Sequence, residues 1–381
     1  MNIPYLEIIE FIHSIYTERP VPLHRPLFIG NEKKYLSDCI DSNFVSSAGE
    51  NVAKFESLIS HYTGAKHAIA TVNGTAALHI SLILAGVSRG DDVITQALTF
   101  VATCNAINYC SANPVFIDVD IDTMGMSPKA LQIFLENNAV KRDGDVINKV
   151  TGNRISACVP MHSFGMPCRI REISKICGEW GIPLIEDAAE SLGSSYENKH
   201  TGTFGLFGTL SFNGNKIITT GGGGMILTDN PALALKAKHL TTTAKLPHIF
   251  EFIHDEIGYN YRLPNLNAVL GCAQMEKIAS FIESKKNIYD HYKNFFLEKN
   301  IRFFVPHEGV SWNYWLNTLV LNSREEKEYL LEKSNEMGVM TRPVWLLMNN
   351  LNMFKCCQHD GLINSTWLAD RVVNLPSSVP I

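Results

Sequence analysis

The chain has 381 residues, with 33 Lys and Arg against 38 Asp and Glu, so its net charge is −5. That length is enough for two or three packed domains, and the lack of a basic run excludes the phosphate-neutralising surface that nucleic-acid binding needs. Only 19% of the residues are charged and 45% are apolar, whereas soluble domains usually carry about 25% charged residues. We therefore expect an apolar excess in an interface or a closed pocket.

The nine cysteines have no repeated spacing, which is typical of a reducing cytosol and not of a disulfide framework. Cys356–Cys357 with His359 resembles half of a metal site, but no second Cys/His pair matches it, so we predict no metal. Glu7 and Glu10 interrupt the apolar core that a signal peptide needs, and the most apolar stretch, 75–87, is shorter than the roughly 20 residues of a membrane span. We expect a cytoplasmic protein without a membrane partner.

From about residue 50 to 240, short β-branched runs alternate with helical patterns, which predicts a mostly parallel sheet covered by helices. The expected strands are 67–72, 92–95, 114–118, 155–160, 183–186, 209–212 and 224–228. The helices expected between them are 75–85, 100–110, one that begins at Ser127-Pro128, and 170–180. Residues 138–154 are polar and predict a surface loop. Beyond about residue 265, an amphipathic helix over 270–291 and a strand near 317–321 indicate a second, smaller domain.

Three features follow predicted strands, where ligands bind in open α/β sheets. Asn73-Gly74-Thr75 is a strand-to-helix turn whose helix start offers N–H groups to an anion. Asp187 ends an apolar strand, where a carboxylate needs a cationic partner. Lys216 lies between a strand and the glycine run 221–224, with neither P-loop nor Rossmann spacing. Each alone has an ordinary explanation: a capped helix, an acid that caps the next helix, and a solvated surface lysine.

Together these features are the parts that a pyridoxal phosphate site needs. The phosphate would lie at the helix start, and Asp187 would keep the pyridine nitrogen protonated so that the ring can withdraw electrons. Lys216 would form the Schiff base and, once released, carry a proton between the substrate carbon and the cofactor carbon. The sequence therefore predicts a pyridoxal-phosphate-dependent enzyme.

Seven segments in order carry a resemblance to a known family. They are NGTAALH (73–79), LTFVATCNAINYC (98–110), PVFIDVD (114–120), IEDAAESLGS (185–194), GTLSFNGNK (208–216), TTGGGGMILTD (219–229) and GYNYRLPNLNAVLGCAQ (258–274). The chain resembles the DegT/DnrJ/EryC1/StrS family of sugar aminotransferases from about residue 20 to its end, with the LegC-type branch of legionaminic acid biosynthesis as the nearer likeness. That resemblance implies the type I fold of pyridoxal phosphate enzymes: a large mixed seven-stranded sheet domain and a small carboxyl-terminal α+β domain. We expect an amino-terminal segment over 1–45, the large domain over 46–260 and the small domain over 261–381.

The resemblance also implies a role for individual residues. Lys216 matches the Schiff-base lysine and Asp187 the partner of the pyridine nitrogen. The remaining matches are cofactor contacts: Phe100 to the stacking aromatic, Gly74, Thr75 and Ser211 to phosphate ligands, and Asn260 to the asparagine that reaches the phosphate from the neighbouring subunit. His162 matches a position near the pocket, although a satisfied core histidine is an equal alternative.

Glu190 departs from the family, which more often has Gln or His at this position, next to the phenolic oxygen of the cofactor. Two anionic oxygens facing each other would be unfavourable, so either Glu190 is protonated or the phenol keeps its proton.

The retained Lys216 favours transamination, because sugar dehydratases of the family carry histidine there. The implied reaction moves an amino group from L-glutamate to C4 of a nucleotide-linked 4-keto-6-deoxysugar, with UDP-2-acetamido-2,6-dideoxy-4-ketoglucose as the expected acceptor. Two alternatives are a GDP- or dTDP-linked 4-keto sugar, as in perosamine-type pathways, and a non-catalytic regulator built on the same fold. The family works as a dimer, so we expect a homodimer with shared active sites.

Overall fold

The computed structural model describes residues 4–47 and 49–381, so residues 1–3 of the expected amino-terminal segment and Ala48 lie outside the described residues. The helices are α1 (Tyr5–Ile15), α2 (Glu32–Asp41), α3 (Glu50–Thr63), α4 (Gly74–Leu84), α5 (Val101–Tyr109), α6 (Pro128–Asn138), α7 (Ile170–Trp180), α8 (Pro231–Thr241), α9 (Asn265–Met275), α10 (Ile278–Glu298), α11 (Arg324–Glu336) and α12 (Ile363–Ala369). The strands are β1 (His67–Thr71), β2 (Asp92–Gln96), β3 (Asn113–Ile117), β4 (Ala139–Arg142), β5 (Asp145–Asn148), β6 (Ile155–Val159), β7 (Ile185–Asp187), β8 (Ser195–Tyr196), β9 (Lys199–His200), β10 (Phe207–Ser211), β11 (Gly224–Thr228), β12 (Val310–Ser311), β13 (Asn317–Val320), β14 (Arg342–Pro343) and β15 (Val372–Leu375).

The large sheet has the strand order β3-β2-β6-β7-β10-β11-β1. β3, β2 and β6 pair in parallel, β7 pairs in parallel with β10, and β11 runs antiparallel to both β10 and β1. Parallel bridges from Cys158 to Leu184 and from Met161 to Asp187 join β6 to β7. The expected mixed sheet of seven strands is thus confirmed. Buried β-branched and aliphatic side chains fill these strands because the helices that connect them pack on the sheet.

Local sequence fixes where the helices near the site begin and end. The Asn73 side chain accepts a hydrogen bond from the N–H of Ala76 at 2.7 Å and caps α4. Ser127 caps α6 in the same way, and Pro128 occupies its first turn. Gly181 ends α7 with a φ of +79°, a conformation that favours glycine.

Two local predictions were wrong. Residues 138–154, expected as a loop, contain the antiparallel pair β4 and β5, because Asp143 and Gly144 adopt positive φ angles of 52° and 89° and form a tight turn. The single helix expected over 270–291 is interrupted between α9 and α10. Glu276 lies at the interruption and accepts hydrogen bonds from Tyr35 and Asn31, which tie this point to α2.

The small sheet, β13-β15-β14, is antiparallel and packs with α10 and α11 in one apolar core. That core also includes Ile8 and Ile12 of α1 and Phe116 of β3. After β3, the Asp118 carboxylate accepts the backbone N–H groups of Asn364 and Ser365 at 2.7 and 2.8 Å and so caps α12. The division of the chain at residues 45 and 260 stays a prediction. The described part of the chain holds no helix that is both long enough and apolar enough to cross a bilayer.

Candidate active site

A cavity of about 230 Å³ lies at the carboxyl ends of β2, β6, β7 and β10. Seven of the eight predicted site residues line it: Gly74, Thr75, Phe100, Asp187, Glu190, Ser211 and Lys216. The cavity is smaller than a surface groove of about 580 Å³ between α2, α3 and α9, but that groove holds none of the predicted residues. Chemistry therefore identifies the 230 Å³ cavity as the candidate active site.

Lys216 and Glu190 form a close pair in this cavity. Lys216 Nζ lies 3.2 Å from Glu190 Oε1, and the other carboxylate oxygen of Glu190 accepts the backbone N–H of Phe164 at 2.9 Å. The Glu190 side chain is only 2% exposed. Burial raises the pKa of Glu190 to about 7, although Lys216 and the hydrogen bond from Phe164 oppose that rise. Near neutral pH, the Glu190 carboxyl group can thus be protonated or ionised.

Asp187 lies at the end of β7, where the carboxylate accepts two hydrogen bonds. The Thr103 hydroxyl donates to Oδ2 at 2.7 Å, and the backbone N–H of Ala189 donates to Oδ1 at 3.2 Å. Burial raises the pKa of Asp187, and these two hydrogen bonds oppose the rise. The aspartate is therefore a desolvated acid that would gain from a cationic group in the cavity.

The anion-binding end of the cavity is the start of α4. The first N–H groups of a helix have no partner inside the helix, and here Gly74 and Thr75 supply them beside the Ser211 hydroxyl. A Cβ built on Gly74 would lie 3.0 Å from the Ser211 Cβ, so glycine keeps this space open. A Cβ on Gly224 would lie 2.4 Å from the carbonyl carbon of Asn73, so β11 needs glycine where it passes the helix cap.

Phe100, Asn260 and His162 have three different placements. Phe100 lines the cavity with 48% of its surface exposed, which leaves a flat aromatic face available. Asn260 is exposed, accepts hydrogen bonds from Arg262, and does not line the cavity of its own chain. His162 is fully buried.

The ring nitrogens of His162 are both paired. Nε2 lies 3.1 Å from Glu186, and Nδ1 accepts the backbone N–H of Cys168 at 3.2 Å. Because Nδ1 accepts a hydrogen bond, the ring proton must be on Nε2, which donates to Glu186. His162 is therefore a satisfied core histidine, which is the second of the two interpretations from the sequence.

Two tryptophans of the small domain complete the cavity wall, and the sequence patterns did not indicate either. Trp345 stacks on Phe164 with ring centroids 5.1 Å apart. The Trp315 ring lies under Lys216, with Nζ 4.3 Å from its centroid. The SWNYW run over 311–315 is dense in aromatic residues, but nothing in its spacing connects it to a lysine about a hundred positions earlier.

The donor set fits pyridoxal phosphate. A helix start with a free hydroxyl suits a phosphate, a buried carboxylate suits a protonated pyridine nitrogen, and a lysine amine suits the aldehyde. Open space at Gly74 and the exposed face of Phe100 leave room for a flat ring. The fold and this site define the class: a pyridoxal-phosphate-dependent aminotransferase of fold type I.

Comparison with known proteins agrees with that class. Residues 28–381 match the DegT/DnrJ/EryC1/StrS aminotransferase family. The chain is 39% identical over 338 residues to EpsN of Bacillus subtilis strain 168, whose name describes a pyridoxal phosphate-dependent aminotransferase, with 88% of this chain and 84% of EpsN covered. It is 36% identical over 363 residues to GDP-perosamine synthase of Escherichia coli O157:H7, covering 94% and 93% of the two chains. Among solved structures, the aminotransferase TlmJ from Streptoalloteichus hindustanus shares the fold, with a TM-score of 0.85 at 24% identity over 94% of this chain and 93% of TlmJ.

The chain belongs to the DegT/DnrJ/EryC1/StrS aminotransferase family. It is a pyridoxal-phosphate-dependent sugar aminotransferase, as the sequence predicted.

Proposed function

We propose that this enzyme moves an amino group from L-glutamate to C4 of a nucleotide-linked 4-keto-6-deoxysugar, in nonulosonic acid or surface polysaccharide synthesis. The observation that carries the proposal is the arrangement of Lys216, Glu190 and Asp187 around one cavity at the start of α4. UDP-2-acetamido-2,6-dideoxy-4-ketoglucose is the proposed acceptor, as in the LegC-type branch. A GDP-linked 4-keto sugar is a second candidate, because the GDP-perosamine synthase of Escherichia coli is 36% identical over almost the whole chain.

The residues divide the work between holding the cofactor and moving protons. Pyridoxal phosphate, when bound, supplies an aldehyde that accepts the amino group and a ring that withdraws electrons from the reacting carbon. Gly74, Thr75 and Ser211 would bind the phosphate, and Phe100 would pack on the ring face. Asp187 would accept a hydrogen bond from the ring nitrogen and keep that atom protonated.

Lys216 is the group that transfers protons. Its Nζ is the amine that would hold the cofactor's aldehyde in the resting enzyme and, once free, would carry a proton between the reacting carbons. Glu190 lies within hydrogen-bond distance of this amine. Because burial raises the pKa of Glu190 to about 7, its protonated form is available near neutral pH to donate to the phenolic oxygen, which supports the first of the two alternatives for this residue.

We further propose a homodimer in which Asn260 completes the site of the partner subunit. The segment 246–257 supports this, because it carries exposed apolar side chains in front of Asn260. Four of them are more than three-quarters exposed: Ile249, Phe250, Phe252 and Ile257. Such a surface on one chain is typical of a protein–protein contact.

Amino transfer is tested with purified enzyme, pyridoxal phosphate and L-glutamate, against UDP-, GDP- and dTDP-linked 4-keto-6-deoxysugars. We expect the cofactor's visible absorbance to change with glutamate, Lys216→Ala to abolish that change, and the UDP-linked N-acetylated sugar to yield a 4-amino product by mass spectrometry. A product from the GDP-linked sugar alone would favour the second candidate. If glutamate changed the absorbance but no keto sugar accepted nitrogen, the sugar assignment would be wrong.

The shared site is tested by mixing two inactive variants, Lys216→Ala and Asn260→Ala. A mixed dimer would hold one intact site, made of Lys216 from one subunit and Asn260 from the other. When subunits exchange at random, about half of the dimers are mixed, and each mixed dimer has one intact site of two. We therefore expect about a quarter of wild-type activity. If both residues served the site of the same chain, mixing would restore nothing.

A further inference from the structure

The segment 312–315 reaches the active site from the small domain. Asn313 donates through Nδ2 to the backbone carbonyl oxygens of Glu190 and Leu192, at 2.7 and 3.0 Å. Trp312 Nε1 donates to the carbonyl oxygen of Phe164 at 3.1 Å. The segment thus binds the backbone of Glu190 itself and that of Phe164, whose N–H donates to the Glu190 carboxylate. Its last residue, Trp315, contacts Lys216.

Trp315 contacts the turn that carries Lys216 in two ways. Its indole N–H donates to the carbonyl oxygen of Asn215, one residue before the lysine, at 2.6 Å. The face of the same ring lies 4.3 Å from Lys216 Nζ, which is within the range of a cation–π interaction. The amine therefore lies beside both the indole face and the Glu190 carboxylate.

The backbone of Trp315 is itself fixed. Its N–H donates to Asn313 Oδ1 at 3.0 Å, and its carbonyl oxygen accepts a hydrogen bond from the Lys285 amine at 3.2 Å. Lys285 is 1% exposed, and its amine also donates to the carbonyl oxygen of Ser377. A buried amine whose partners are backbone carbonyl oxygens loses the hydration that an exposed lysine keeps, so this arrangement is a poor choice for stability alone.

We propose that Trp315 is a positioning residue for the amino-transfer reaction. Its N–H fixes the turn at Asn215, and its ring holds the released Lys216 amine near Glu190 while the amine carries the proton. Trp315 acts on the reaction through Lys216 and does not contact the reacting carbon. The inference rests on the proposed function, in which Lys216 is both the cofactor-binding and the proton-transferring group.

Two substitutions at Trp315 separate the contribution of the aromatic face from that of the indole N–H. Trp315→Phe keeps an aromatic face beside the amine but has no donor for Asn215, and Trp315→Leu removes both. In the holoenzyme, we expect the maximal rate of the L-glutamate half-reaction, followed by the cofactor's absorbance, to fall about 5-fold for Trp315→Phe and about 50-fold for Trp315→Leu. We expect the glutamate concentration at half-maximal rate to stay within about twofold, because the tryptophan acts on the lysine and not on the donor.

A second measurement does not depend on turnover. In the full-length protein after removal of pyridoxal phosphate, acetylation of Lys216 by acetic anhydride is followed by peptide mass spectrometry. We expect labelling about 5-fold faster in Trp315→Leu, because the amine loses its cover and its cation–π partner, and little change in Trp315→Phe.

Trp312→Phe is the matched control, because it removes another buried indole hydrogen bond of the same segment without uncovering Lys216. We expect Trp312→Phe to lose about as much thermal stability as Trp315→Phe and to leave the labelling rate of Lys216 unchanged. Equal labelling in wild type and Trp315→Leu, or a glutamate half-reaction in Trp315→Phe within about twofold of wild type, would overturn the proposal. A lack of any sugar acceptor would leave both readouts valid, since neither uses the sugar.

Discussion

Thr103→Val tests how much the hydrogen bond from Thr103 contributes to the ionised form of Asp187. Valine has nearly the shape of threonine, so the change removes the 2.7 Å hydrogen bond to Oδ2 without leaving a cavity. A hydrogen bond to a charged group contributes about 1.5 to 3 kcal/mol. Burial already raises the pKa of Asp187, so losing this donor raises it further and makes the neutral acid, which cannot hold a protonated pyridine nitrogen, more common.

We expect pyridoxal phosphate to bind Thr103→Val about 10- to 100-fold more weakly, since each 1.4 kcal/mol is a factor of ten. Kd is measured by titrating cofactor-depleted protein and following the absorbance of the bound cofactor. The Kd values of variant and wild type should approach each other as pH rises, because deprotonation restores the Asp187 carboxylate. Thr103→Ser keeps the hydroxyl and should bind almost as wild type. A Kd for Thr103→Val within twofold of wild type, or equal weakening in Thr103→Ser, would refute the reasoning.

Three further changes follow from other contacts. The pKa of Glu190 is raised to about 7 from an ordinary 4.5. In cofactor-depleted protein, we therefore expect the free energy of unfolding to fall by about 3 kcal/mol as pH rises from 4.5 to 7. Urea titrations of Glu190→Gln should not show that fall. Gly224→Ala pushes a Cβ against the Asn73 backbone and should cost about 2 kcal/mol of stability and weaken cofactor binding, whereas Gly214→Ala, with open space around it, should change neither. Burial lowers the pKa of Lys285, so the unfolded chain binds more protons than the folded protein. The free energy of unfolding of wild type should therefore rise, relative to that of Lys285→Met, as pH rises toward 10.5. The same pH dependence of the free energy of unfolding in the two proteins would contradict this.

Most of the large sheet could be predicted because each strand is a short run of neighbouring residues with its own pattern. The meeting of several predicted residues at one cavity could be anticipated for the same reason, since Asn73 to Thr75, Asp187 and Lys216 each lie at the end of such a run or after it. Their roles stay predictions. The β4–β5 pair does have a local sign, because Asp143-Gly144 is a dipeptide that favours the positive φ angles of a hairpin turn. The polar composition of residues 138–154 outweighed that sign in the prediction of a loop.

Contacts between distant parts of the chain lie beyond such patterns. Thr103 donates to Asp187 across 84 positions, and Trp315 to Asn215 across 100. A threonine within a helix and a tryptophan beside a strand give no local sign of the partner that the fold brings to them. His162 shows the same limit, since only the structure reveals that Glu186 and the Cys168 N–H occupy both of its ring nitrogens.

The cap that Asp118 places on α12, together with the apolar core that α1, β3 and the small sheet share, has a consequence for folding. The carboxyl-terminal part of the molecule does not enclose a complete core of its own, because side chains from α1 and β3 fill the same interior. We therefore expect heat or denaturant to melt the enzyme in a single cooperative transition. A fragment beginning at residue 261 would lack Ile8, Ile12 and Phe116 and would remain unfolded.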